Sequence, residues 1–309
     1  MTMTTTRRGF TLVELMIGLV LTMAVSGVVY QLLLANQRVT RTQAEHAGMQ
    51  DNVRSGALIV TNELRELGYD SVPAVAALGV NAVASSDVLT ALPGRIRYRA
   101  MRGLGFTCFA STTAQIRLRR STYQGLRDPL ANDSISIFLD GDESISGDDA
   151  WVRAAVTAVN AGSTCTDNSA AIALSLGWPA ASVTAPTPAN AVAKMITGGP
   201  VRVHEVMEMS YYAQNGQSWL GMQALSQGEG SPQPMIGPLA DSTAAVRGFT
   251  LGYLDRNDTP TGVLSDMRTI TIDVRGVTDQ AVRSRDVHQA TIDSLSLSTR
   301  VALRNMMRP

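Results

Sequence analysis

The sequence predicts an α+β protein in which one long N-terminal helix carries a β-rich C-terminal head. Three observations predict it. From Phe10 to Gln37 the only charged side chain is Glu14, and Leu15 to Leu34 is a twenty-residue apolar run, long enough for a helix to cross a bilayer. Beyond that run, Met49, Val53, Ala57, Val60, Leu64 and Leu67 recur at spacings of four and three, one stripe of a helix. After Tyr69 the pattern changes to short segments of period two separated by Gly, Pro, Asn and Asp.

Composition narrows the function. The 309 residues carry 26 basic and 26 acidic side chains. A net charge of zero argues against long-range attraction to nucleic acid as the main activity. Apolar content of 45% is enough for a real core.

Arg7 and Arg8 precede the apolar run and favour a cytoplasmic N-terminus, with everything after the span across the membrane. A secretory signal would lose its apolar region on cleavage. Here the junction of small residue and changed character, Gly9/Phe10, lies upstream of the run, so cleavage there keeps the run. An ionised Glu14 inside a span costs roughly 2.5–3.5 kcal/mol on insertion scales, which marks it as functional.

The helix is expected to continue past the run. No Pro interrupts 36–66, Gly68 is a C-terminal stop, and Pro73 lies beyond. Residues 10 to about 67 then form one helix of roughly 85 Å at 1.5 Å per residue. The expected organisation is a leader at 1–9, a transmembrane and assembly half of the helix at 10–35, an amphipathic half at 36–68, and a head at 69–309.

Gly9-Phe10-Thr11-Leu12-Val13-Glu14-Leu15-Met16 resembles the class III signal of type IV prepilins and type II secretion pseudopilins. The resemblance implies cleavage after Gly9 by the prepilin peptidase, N-methylation of Phe10, and retention of the run as an assembly helix. It implies that Glu14 pairs with the N-terminal amine of a neighbouring subunit, so that a partner's cation relieves a costly buried charge. Cleavage would remove Arg7 and Arg8, leaving 24 basic against 26 acidic side chains, a formal side-chain charge of −2. Many major pilins have a kinking Pro in this half; here Gly18 and Gly27 are the soft points. The stretch Met49 to Tyr69 resembles PilW-like minor pilins and, less closely, J-type pseudopilins. The ending Thr299-Arg300-Val301-Ala302-Leu303-Arg304-Asn305 resembles prepilin-like C-termini.

In the head, strands are expected at 87–92, 96–101, 115–119, 134–139, 151–159, 170–176, 201–213, 219–225, 247–254, 268–274 and 290–303. Loops are expected at Pro93-Gly94, Asp140-Gly141-Asp142, Pro179 to Pro188, Gly198 to Pro200, Gly228 to Pro238 and Asp255 to Gly262. The head reads as one β-rich body of one or two sheets or lobes, with the strand pairing open.

Few residues in the head point to chemistry. Cys108 and Cys165 are a disulfide candidate if the head lies outside the cytoplasm, and two buried thiols otherwise. Asp140, Asp142 and Ser144 place oxygens at alternate positions in an acidic loop, which suits calcium. The EF-hand pattern fails there, since Ile145 stands where Gly is needed and Trp151 where the bidentate Glu belongs. A solvated turn is the competing reading, and no cofactor is otherwise expected. His46, His204 and His288 lack a second ligand at metal spacing. Arg95, Arg97 and Arg99 alternate, giving a basic patch on one strand face. It fits a solvated face with local ion pairs, an acidic partner subunit, or DNA phosphates, in that order.

No catalytic constellation is present, so an enzyme is not expected. The leading expectation is a structural minor pilin, placed in or priming a type IV pilus at a tip or initiation complex. Its partners would be other minor and major pilins through the N-terminal helix, the prepilin peptidase and the inner-membrane assembly platform; nucleic acid is not expected. It would sit in the bacterial inner membrane as a single-pass protein with a periplasmic head, then in the fimbrium at the cell surface. The alternatives are a J-type pseudopilin of type II secretion, against which a head of about 240 residues argues, and a pilus-borne adhesin or DNA-binding module.

Overall fold

The computed structural model describes residues 11–65, 67–72, 83–110, 115–140, 144, 150–177, 195–243, 246–283, 290–303 and 305–306. One long N-terminal apolar helix is followed by a β-rich, largely antiparallel domain. Helix α1 runs Leu12–Arg65. The strands are β1 (Gly68–Val72), β2 (Val83–Ser86), β3 (Val88–Leu92), β4 (Arg95–Ala110), β5 (Gln115–Arg119), β6 (Gln124–Gly125), β7 (Ser134–Leu139), β8 (Ala150–Thr164) and β9 (Ala170–Gly177). They continue as β10 (Pro200–Gln214), β11 (Gln217–Ala224), β12 (Gln233–Leu239), β13 (Phe249–Leu254), β14 (Thr269–Val277), β15 (Val282–Arg283), β16 (Ala290–Thr291), β17 (Ser294–Ala302) and β18 (Asn305–Met306).

The chain divides into two compact units, residues 1–50 with 278–293, and residues 51–277 with 294–309. In the first, residues flanking the paired strands β15 and β16 bond to α1. Glu45 accepts the backbone N–H of Asp279 at 3.1 Å and of Gln280 at 3.2 Å, and His46 Nε2 stands 3.5 Å from Asp293 Oδ2.

The second unit is built on two long strands. β4 has sixteen residues and β10 fifteen, and they pair antiparallel from Phe106↔Pro200 to Arg95↔Ser210, with one irregularity at Val203/His204. Around Arg95–Ala100 and Met207–Gln214 these strands belong to an open sheet with β3, β11, β12, β14, β13 and β17. Its apolar face holds Val53, Val60 and Leu64 of α1 in a cluster with Ile96, Tyr98, Met209, Leu220, Ile236, Phe249 and Ile270. Every residue of the helical stripe from Met49 to Leu67 is buried. Such burial stabilises by about 25 cal/mol per Å² of apolar surface removed from water.

The other halves of β4 and β10 close a ring. β10 pairs β7, β7 pairs β8, β8 pairs β9, β9 pairs β5, β5 pairs β4, and β4 returns to β10. The result is a six-stranded antiparallel barrel. Its interior is filled by Ile116, Leu118, Ile135, Ile137, Val152, Ala154, Ile172, Leu174, Val201 and Val203, alternate residues of their strands.

The expected strand 290–303 is divided into β16 and β17, β1, β2, β6 and β15 lie outside the expected strands, and two further segments differ for a readable reason. β4 extends well past 101, through Gly103 and Gly105, which weaken a strand signal. A Cβ at Gly103 would lie 2.2 Å from Tyr123 Oη, so the missing side chain is what lets that ring close over the strand. The expected loop Gly228 to Pro238 contains β12. Its prolines sit in a strand whose pairing to β11 shifts register twice, and such irregularities accommodate a residue that cannot donate to a ladder. The expected Pro179–Pro188 loop lies outside the described residues.

Candidate assembly site and head surface

The first helical turn is closed by its own side chains. Thr11 is the N-cap residue and Glu14 sits three positions on. The Glu14 carboxylate accepts the Thr11 backbone N–H at 2.9 Å and the Thr11 hydroxyl at 3.0 Å; the Glu14 N–H donates back to Thr11 Oγ1 at 3.3 Å. This is a capping box, in which two backbone donors at a helix start are satisfied reciprocally. The helix beyond it offers Leu12, Leu15, Met16, Leu19, Val20, Met23, Val28 and Leu32 to the surroundings, each more than half exposed. Its best 18-residue window has a mean hydropathy of 2.2 and is not buried at all. By length and composition α1 can cross a membrane.

Further along, α1 is keyed to the sheet by small and polar residues. Gly56 faces Ile236, so closely that a Cβ there would meet Ile236 Cδ1 at 2.5 Å. Asn52 Nδ2 donates to the Gly237 carbonyl at 2.9 Å. Glu63 begins a chain of ion pairs. Arg102 reaches Glu63 at 3.3 Å and Glu205 at 2.8 Å; Arg127 reaches Glu205 at 3.0 Å and the fully buried Asp133 at 2.7 Å. Tyr98 donates its hydroxyl to Glu63 at 3.2 Å; burial, then the Glu63 charge, push its pKa well up. Burial opposes the charge on Arg102, but the hydrogen bond to Glu205 and the Glu63 charge outweigh it and raise its pKa. Truncating one member would strand a buried charge, a costlier change than the pair's own worth.

Residues 5–30 match the family described as the prokaryotic N-terminal methylation motif. This segment is a type IV pilin-like prepilin signal. Searches of curated proteins and of solved structures returned no match. The motif in general implies interaction with other pilins and with the prepilin peptidase, and together with the apolar helix it fits a membrane-anchored pilin.

The other candidate residues are placed as follows. Gly9 and Phe10 lie outside the described residues. Cys108 and Cys165 are joined in a disulfide, with their Cα atoms 5.6 Å apart. Asp140 and Ser144 are described but Asp142 is not, and no cluster of three or more acidic, His or Cys ligands occurs among the described residues. Arg97 pairs with Glu208 at 2.9 Å and Arg95 approaches the same carboxylate at 3.9 Å, so part of the basic stripe is neutralised across β4–β10. Tyr98, between them and Arg99 in sequence, points to the opposite, buried face. His204 is buried, 3.3 Å from Ser136 Oγ, and burial together with Arg153, Arg202 and Arg99 holds its pKa down to about 3, so it is neutral. His288 lies outside the described residues.

Sequence reasoning missed the capping role of Thr11, although Thr-x-x-Glu before an apolar run was there to read. It also missed the Glu63–Arg102–Glu205–Arg127–Asp133 chain, in which only Arg127 and Asp133 are near in sequence and the other links span 39 to 103 residues.

Proposed function

We propose that this chain is a PilW-like minor pilin, held in the inner membrane by α1 with its head in the periplasm and then built into a type IV pilus. The observation that carries the reading is the methylation motif at residues 5–30, on a helix whose apolar N-terminal stretch is unburied and has Glu14 as its one charge. In this reading the prepilin peptidase cuts after Gly9 and Phe10 is N-methylated. The helices then leave the bilayer for a fibre core, where Glu14 meets the amine of a neighbouring Phe10. Assembly is packing chemistry: apolar helices bundle, and a carboxylate that is costly alone sets the register once a cation arrives. The head belongs to a tip or initiation complex with other minor pilins. The mass of the mature protein from intact cells should show loss of residues 1–9 and one added methyl on Phe10. An unprocessed N-terminus in cells that contain a prepilin peptidase rejects the reading.

A further inference from the structure

Glu14 and Arg38 bracket the apolar part of α1. Between them, Leu15 to Gln37 is a run of 23 residues without a charge. Glu14 and Arg38 are 24 positions apart, about 36 Å along a helix at 1.5 Å per residue. That exceeds a hydrocarbon core of about 30 Å by only about 3 Å at each end. A helix near the bilayer normal therefore sets both charges in the two headgroup layers at once. Ser26 is the midpoint of the bracket. Inside it, the Thr22 hydroxyl donates to the Gly18 carbonyl at 2.7 Å and so needs no partner from lipid.

At the far end Arg38 is joined by Arg41, three positions on and on the same helix face. Both are exposed, and among the described residues neither guanidinium pairs with a carboxylate. Glu45, one turn beyond Arg41, is turned instead to the Asp279 and Gln280 N–H groups. Two guanidiniums just past a hydrocarbon core meet the level of the phospholipid phosphates. The planar guanidinium fork matches a phosphate bidentately, and a long Arg stem lets Arg41 reach back toward that layer.

We propose that Arg38 and Arg41 dock on the headgroup phosphates of the distal leaflet and fix the depth of α1, which holds Glu14 at the opposite headgroup layer. The proposal rests on the reading of α1 as a membrane span and adds where in the bilayer it stands. Glu14 is then hydrated while the chain waits in the membrane. Its cost in hydrocarbon arises only when the helix is drawn along its axis into a fibre, where a neighbouring amine meets it.

The test uses the full chain in vesicles of phosphatidylethanolamine and phosphatidylglycerol. The native cysteines are bonded to each other, so one introduced thiol can carry a spin label. Oxygen accessibility should peak at Ser26→Cys, with Gly18→Cys and Leu34→Cys, eight positions to either side, equally deep. Arg38→Gln with Arg41→Gln extends the uncharged run to Ala44, so Leu34→Cys should become deeper than Gly18→Cys. By native mass spectrometry the double variant should retain at least tenfold less phosphatidylglycerol than the wild type, at equal helix content. Inorganic phosphate at millimolar concentration should not compete. A deepest label away from Ser26, unchanged depths or unchanged lipid retention in the double variant, or competition by free phosphate overturns the proposal. A chain that does not float with the vesicles rejects the membrane reading itself, and this proposal with it.

Discussion

At Glu14 the same carboxylate has two possible partners, and the structure shows the one within its own chain. Its bonds to the Thr11 N–H and hydroxyl close the helix start. In the proposed fibre an incoming amine must share or displace those bonds. The two roles separate by substitution. Glu14→Gln keeps the capping geometry, since Gln serves at that position of a capping box, but it removes the charge. Glu14→Ala removes both. If the charge sets the register, both variants should be cleaved normally yet give sheared-pilus yields at background; wild-type piliation by the Glu14→Gln variant would assign the residue to capping alone. At this scale the sequence was informative where partners are near neighbours. Thr11 and Glu14 are three apart and readable, whereas the fully buried Asp133, besides its nearby partners Leu130 and Arg127, accepts a bond from Gln227 at 3.1 Å, which no local pattern announces.

At the scale of the element, α1 was the most legible part of the chain, because a period of 3.6 in one stretch needs no knowledge of the partner. The stripe Val53, Ala57, Val60, Leu64 is buried as its spacing requires. What the stripe did not disclose is the seat it occupies. Ile236, which packs on Gly56, comes from β12, a strand hidden by Pro234 and Pro238. Gly56 therefore reads as a weak spot in the helix but is the notch that receives a side chain. Gly56→Ala should destabilise only mildly: the Cβ would meet Ile236 Cδ1 at 2.5 Å and its Cγ1 and Cγ2 at 3.0 Å, so a buried β-branched side chain must shift, against which Ala gains up to about 1 kcal/mol of helix propensity over Gly. Gly56→Leu should destabilise by about 1–3 kcal/mol, the cost of overpacking. Urea unfolding followed by circular dichroism in detergent measures both, and wild-type stability in the Gly56→Leu variant would show that the notch is loose.

At the scale of the molecule, strand existence was readable and strand pairing was not. Ser134–Leu139 and Gln115–Arg119 announce themselves by alternation, but the partners that close the barrel come from distant parts of the chain, as at Val201↔Ile137. The disulfide lies within this barrel region and joins residues 57 apart. Closing a loop of that length removes about 4 kcal/mol of chain entropy from the unfolded state in the simplest treatment. Cys108→Ser with Cys165→Ser should therefore lower stability by about 2–4 kcal/mol. Hydrogen exchange should show the loss in β5, β8 and β9 while β11, β14 and the helix stripe stay protected. Equal loss everywhere would mean that the barrel and the open sheet unfold as one.

β4 and β10 also set what can be exchanged in this protein. The chain departs the sheet after Phe106 and comes back at Pro200, and those two residues face each other as Cα partners. To the open sheet and its helix, everything between them is the loop of a single hairpin. The segment 107–199 is thus a cartridge: it can lengthen, shorten or be replaced in evolution or by design, provided that its two ends stay one strand spacing apart and that it still supplies partners for Glu205 and Asp87, as Arg127 and Arg153 do.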